Sequence, residues 1–127
     1  MIIGVGHDLV STLRFARVAA RFGQRFLDRI FIDDEQRYCR ELANPTRHFA
    51  ARFAAKEAFY KALSRGVPLR LGFRDVGVSH VRGASLKLWL SPVAAALAHD
   101  AGVVHTHLSL SHDGDYAAAM VVLEGAP

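Results

Sequence analysis

The run PTRHFAARFAAKEAFYKALS, residues 45–64, limits what this chain can fold into more than any other part of it. Asn44-Pro45 opens the run: asparagine can cap free amides, and proline is preformed for a first helical position. Gly66 follows as a terminator. The spacing predicts one helix from residue 45 to about Ser64, on which Ala54, Ala55, Ala58 and Ala62 are small enough to let a strand or a ligand come close. In a chain of 127 residues, which fits one domain over 1–127, so long a helix must be the central packing element.

The flanking segments alternate in a different way. Residues 2–6, IIGVG, suit an opening strand with Asp8 at its end. Ser11 is an N-cap for a helix through about Arg29, with Phe15, Val18, Phe22 and Phe26 at helical spacing and Gly23 as a weak point. Asp33, Asp34 and Glu35 read as the acidic first turn of a short helix containing Tyr38 and Cys39. DVGVSHV and ASLKLWL form a hairpin across Arg82-Gly83, and Ser91-Pro92 opens a short alanine helix that Gly102 closes. VVHTHLSLS and YAAAMVVLE form a last hairpin whose turn, HDGD, carries His112, Asp113 and Asp115. The expected class is α+β: an antiparallel, hairpin-rich sheet packed with a long central helix and shorter helices.

Composition narrows the chemistry. With 51% hydrophobic and 22% charged residues the chain is a folded globular protein. A lone Cys39 cannot form an internal disulfide, no apolar run is long enough to cross a bilayer, and MIIGVGHDLV lacks a basic leader, so a cytoplasmic protein without membrane contact is expected. The net charge of +4 points to an anionic partner or substrate. No zinc-finger spacing, helix-turn-helix pattern or aromatic interleaving supports nucleic acid as that partner.

Two constellations can do chemistry. On the long helix Glu57 and Lys61 share a face with Phe53, and Arg52 and Lys56 share a neighbouring one. A surface Glu57–Lys61 ion pair is the plain reading. With Asp8 at a strand end, Glu57 can instead hold a hard divalent cation while the lysines and Arg52 meet phosphate oxygens. His105 and His107 form an HxH pair pointing to one side of a strand, with Leu108 and Leu110 on the other. Together with His112 they make a zinc-dependent hydrolase an alternative. Arg14, Arg17, Arg21 and Arg25 form a stripe without an acidic residue, whose length and straightness suit an acidic helix of a partner.

GVGHDLV, ARFAAKEAFYKAL and LSLSHDGDYAAAMVVLE, in that order and spacing, resemble the holo-acyl-carrier-protein synthases, the small trimeric type of 4'-phosphopantetheinyl transferase. RFGQRFLDRIF and GASLKLWLSP extend the likeness over nearly the whole chain. The resemblance implies transfer of the 4'-phosphopantetheine group of coenzyme A to a serine of apo acyl carrier protein, in fatty-acid biosynthesis, with release of adenosine 3',5'-bisphosphate. It implies Mg2+ at Asp8 and Glu57, with Lys61 beside the diphosphate, and makes these three the catalytic residues. Arg52 and His112, with Arg47 as a further candidate, would contact coenzyme A phosphates. Arg14, Arg21 and Arg25 would dock the acidic carrier protein, and each site would lie between subunits of a homotrimer with His112 coming from across the interface. The serine proton would go to Glu57 or to a water held by the metal at Asp8; the sequence does not choose. The chain departs from the family at Ser64-Arg65-Gly66, at Gly83-Ala84-Ser85 and at His7. A non-catalytic basic module that binds RNA or an acidic protein is the alternative of another class; it would keep the arginine stripe and need no metal.

Overall fold

The computed structural model describes residues 1–80 and 85–127. Strand β1 (Ile2–Ser11) leads into helices α1 (Thr12–Phe22), α2 (Gln24–Ile30), α3 (Asp33–Arg40) and α4 (Pro45–Ser64). A 3-10 turn at Phe73–Asp75 precedes β2 (Val76–Ser79) and β3 (Lys87–Leu90), after which come α5 (Pro92–Asp100), β4 (Val103–Asp113) and β5 (Tyr116–Gly125). The strands form an antiparallel sheet in the order β1-β5-β4 and an antiparallel pair β2-β3, so the expected α+β class is borne out. The turns expected at Arg82-Gly83 and Gly83-Ala84 lie outside the described residues.

Strand β1 packs on α4 through backbone rather than side chains. A Cβ on Gly4 would stand 2.0 Å from the Ala62 carbonyl oxygen, and one on Gly6 only 1.7 Å from that of Ala58, so hydrogen is the only side chain that fits. The strand then alternates: Gly4, Gly6, Asp8 and Val10 turn towards the core, and Val5, His7 and Leu9 are exposed. Asp8 is not at the end of this strand, as expected, but within it, opposite Ala119, because β5 continues the pairing as far as Ser11 and Tyr116.

The helix expected from Ser11 to Arg29 is two helices. Ser11 does cap it, its Oγ accepting from the Arg14 amide at 3.2 Å, but Gly23 takes φ 66° and ends α1 by donating its N–H to the Ala19 carbonyl at 2.8 Å. The break brings Phe15 of α1 within 5.7 Å of Phe26 in α2 and 6.1 Å of Phe31, and Phe15 also reaches Phe53 on α4 at 6.0 Å. Phe22, placed by spacing on the apolar face, is exposed. The arginines are exposed too, but Arg14, Arg17 and Arg21 belong to α1 and Arg25 to α2, so their stripe is bent at Gly23 and not straight. Asn44 makes no side-chain cap for α4; Pro45, which needs no partner for its nitrogen, stands at the first turn.

Lys56 is a core residue and cannot meet a phosphate. Its Nζ lies 2.6 Å from Glu35 Oε1, with side chains 2% and 0% exposed, and it also donates to the carbonyls of Phe73, at 3.2 Å, and Val76. Glu35 accepts further from the amides of Ile32 and Val78, each at 3.1 Å, so one ion pair joins α3, α4, the 3-10 turn and β2. Burial drives the Lys56 amine below its ordinary value, and Glu35 opposes that shift. Removing one partner strands the other charge in the core, so Lys56→Met should cost about 3–5 kcal/mol in urea unfolding. The double variant Lys56→Met/Glu35→Leu should recover most of that loss, because an apolar pair of similar volume carries no desolvation penalty.

Candidate active site

The β1–α4 contact sets the first group of functional side chains. Asp8 projects from β1 towards α4, and Lys61 Nζ donates to its Oδ1 at 2.9 Å and to the His7 carbonyl at 3.2 Å. Glu57, one helical turn before Lys61, is half-buried nearby. Burial first, and then the Asp8 charge, raise the Glu57 carboxyl above the ordinary carboxylate range, while Lys61 pulls it partly back. Among the described residues the ion pair that forms is Lys61–Asp8 rather than the surface Glu57–Lys61 pair that spacing alone suggests. Beside Glu57 opens a cleft of about 240 Å³, walled by Tyr60, Leu71, Phe73 and Val76.

Two carboxylates against one lysine leave an excess of negative charge between a strand and a helix. Oxygen donors of this kind suit a hard cation, and Mg2+ commonly takes one or two carboxylates and completes its shell with water and phosphate oxygens. No cluster of three or more His, Cys, Asp or Glu side chains able to hold a metal occurs among the described residues, so a closed zinc centre does not form there. His107 Nε2 lies 3.3 Å from Glu124 Oε1, and both His105 and His107 are exposed. His112, an odd number of residues along β4, falls on the other face with Leu108 and Leu110, so the zinc-hydrolase alternative has no assembled site.

The second group gathers at the start of α4. His112 is not in the hairpin turn, as expected, but in β4 opposite Ala117; the turn itself is Gly114-Asp115. Its ring stands edge-on to His48, with centroids 5.3 Å apart. Both rings are held below the ordinary histidine value, by partial burial first; Arg47 and Arg52 then act on His112, and His112, Arg52 and Arg47 on His48. Arg52 is 3% exposed, donates from Nη1 to the His48 carbonyl at 3.3 Å, and carries its Cζ 4.8 Å from the centroid of the Tyr38 ring. Its Nε is buried with no hydrogen-bond partner, as a donor waiting for an anion would be. The structure thus brings together Arg47, Arg52 and His112, as the three proposed phosphate contacts require. It adds His48, which the sequence reading missed although it lies one turn before Arg52 on the same face of the helix.

These two groups face away from each other within one chain. Nine residues separate His48 from Glu57, which on an α-helix is a rotation of about 180° and a rise of about 13 Å. Their electrostatics are separate as well: Asp8 and Lys61 act on Glu57, and Arg47 and Arg52 act on His112.

The chain that carries these two groups of side chains is matched in known proteins. The model of the 4'-phosphopantetheinyl transferase superfamily matches residues 4–121. This chain belongs to that superfamily. Holo-[acyl-carrier-protein] synthases from Syntrophotalea carbinolica and Koribacter versatilis are each 43% identical to it, covering 96% and 98% of this chain and 95% and 99% of theirs. Among solved structures, the holo-[acyl-carrier-protein] synthase of Neisseria meningitidis superposes with a TM-score of 0.87 at 34% identity, over 98% of this chain and 99% of that one. An ACPS–CoA complex from Chronobacterium ammoniagenes gives a TM-score of 0.85 at 37% identity, over 98% of each chain. The family resemblance carried by the three sequence blocks is therefore borne out, and the chain is an enzyme of the transferase class. Among the described residues of the transferase, no helix is long and apolar enough to cross a membrane.

Because the folded transferase holds His48 and His112 below the ordinary value, the unfolded chain takes up protons first as pH falls. Stability conferred by the neutral rings is present above the ordinary histidine value and is lost as pH falls through the folded values. A bound phosphate reverses the shift by favouring the charged rings. Titration followed by NMR should show the His112 signals moving to a higher pKa when inorganic phosphate is added.

Proposed function

We propose that this chain transfers the 4'-phosphopantetheine group of coenzyme A to a serine hydroxyl of apo acyl carrier protein, releasing adenosine 3',5'-bisphosphate, in a Mg2+-dependent reaction. The observation that carries this reading is the placement of Asp8, Glu57 and Lys61 together by the β1–α4 contact. The serine oxygen bonds to the phosphorus that bears pantetheine, the bond from that phosphorus to the bridging oxygen breaks, and the serine proton passes to Glu57 or to a water at Asp8. Asp8 and Glu57 would hold Mg2+, which would offset the charge that develops on the diphosphate. Lys61, now bonded to Asp8, is placed to donate to an oxygen of the leaving phosphate. The mostly apolar cleft beside Glu57 suits the uncharged pantetheine arm.

Coenzyme A carries one more phosphate, the 3'-monoester, which the metal site does not serve. The Arg47, His48, Arg52 and His112 cluster suits it. His48 and Arg52 lie about 140–180° round α4 from Glu57, which favours a neighbouring subunit as the source of the cluster that meets a coenzyme A held at Asp8 and Glu57. We therefore read each site as shared between neighbouring subunits, in the homotrimer that the family resemblance implies. The outer face of the β1-β5-β4 sheet supports such an assembly, because Val5, Leu9 and Met120 are 55%, 60% and 45% exposed there. Arg14, Arg21 and Arg25, on the outside of α1 and α2, receive the acidic carrier protein in a contact that salt weakens.

Intact mass of apo acyl carrier protein incubated with the protein, coenzyme A and Mg2+ tests the reaction. The expected result is one phosphopantetheine added per carrier, abolished by chelation and reduced at least 100-fold in rate by Glu57→Ala. No mass gain from folded protein with several carriers would overturn the reading. The assembly has its own test, which is to mix chains bearing Glu57→Ala with chains bearing Arg52→Gln. If sites are shared, subunit exchange should restore activity in about a quarter of them, whereas sites confined to one chain would stay inactive.

A further inference from the structure

Arg52 is a buried cation without a counter-charge. Among the described residues no carboxylate lies within ion-pair distance of its guanidinium; its neighbours are the His48 carbonyl and the face of the Tyr38 ring. A buried charge with so little compensation is costly, and a carboxylate would relieve it. A carboxylate would also occupy the N–H fork in a bidentate pair and leave nothing for a phosphate. An aromatic face attracts the cation through its quadrupole and uses none of the donors. Tyr38 is itself contacted from outside this cluster: its ring packs at a tilt against His80, just after β2, with centroids 4.7 Å apart and 39° between planes. Helix α3 carries Tyr38 and is locked to α4 by the Glu35–Lys56 pair.

We infer that Tyr38 is a positioning residue, which holds the Arg52 guanidinium by its ring face and leaves its Nε–H unpaired for the 3'-phosphate of coenzyme A. This rests on the reading of the Arg52 cluster as the 3'-phosphate site. Tyr38 touches no substrate in this scheme; its whole effect passes through Arg52. Two consequences follow that a purely structural role would not produce. Loss of the ring lowers the preference for coenzyme A over 3'-dephospho-coenzyme A, and loss of the hydroxyl alone does not.

The experiment compares kcat/KM for coenzyme A and for 3'-dephospho-coenzyme A with apo acyl carrier protein as acceptor. Tyr38→Leu should cut the ratio roughly three- to thirty-fold, and Tyr38→Phe should keep it. In an Arg52→Gln background, Tyr38→Leu should produce no further change in the ratio, because the group it acts through is gone. Should Tyr38→Leu not fold, a ring-fluorinated phenylalanine at position 38 keeps the shape, weakens the negative face and should lower the ratio in the same direction. An unchanged ratio in the folded variants, or an equal loss with and without Arg52, would overturn the role of Tyr38 and leave the phosphate site standing. An unmodified protein that does not distinguish the two substrates, and is unaffected by Arg52→Gln, would remove the phosphate site itself and the role of Tyr38 with it.

Discussion

Everything at the Asp8–Glu57–Lys61 group depends on how closely the backbone of β1 approaches the backbone of α4. Gly4 and Gly6 lie against the carbonyls of Ala62 and Ala58 with no room for a Cβ on the strand. Alanine on the helix and glycine on the strand are thus two halves of one steric condition. Two residues past Gly6 on the same face comes Asp8, and at that separation its short side chain reaches Lys61 and acts on Glu57. A wider gap would put a carboxylate as short as aspartate out of reach.

Helix α4 distributes its charges by face, and each face has its own electrostatic solution. Lys56 is buried, paired and hydrogen-bonded, a cation whose role is to join four elements. Its neighbour Glu57, about 100° further round, is only partly buried and has its proton affinity raised by that burial first and then by a like charge. Arg52, one turn before Lys56, is as buried as the lysine but is left with an open donor. Three ionisable groups within six residues therefore differ in burial, in pairing and in proton affinity. What separates them is which element each one faces.

The sequence made the long helix legible because its proline start and glycine stop are local signals, and the serine caps at Ser11 and Ser91 were readable for the same reason. Asp8, Glu57 and Lys61 were identified as a set through the family likeness, and spacing alone favoured a Glu57–Lys61 surface pair that is not the one formed. What could not be read depends on contacts distant in the chain. Gly23 breaks its helix because three phenylalanines converge once it does, and the tolerance of helices for a single glycine concealed that. Lys56 looked like a surface cation because its partner, Glu35, is in another helix, 21 residues away. His48 was passed over because its significance comes from His112, at the far end of the chain.

The alternation along β1 has a further consequence, for how the gene segment encoding this strand can change. Core-facing and outward-facing residues take turns from Gly4 to Val10, so the strand is read in steps of two. Deleting one residue between Gly6 and Asp8 would bring Leu9 to Lys61 and send the aspartate to the outer face of the sheet. Deleting two adjacent residues ahead of the aspartate, such as Gly6 and His7, would keep each remaining side chain on its face while moving the carboxylate by one pleat. Length variation in this strand is therefore confined to even steps, and even those displace the carboxylate that the helix is placed to meet.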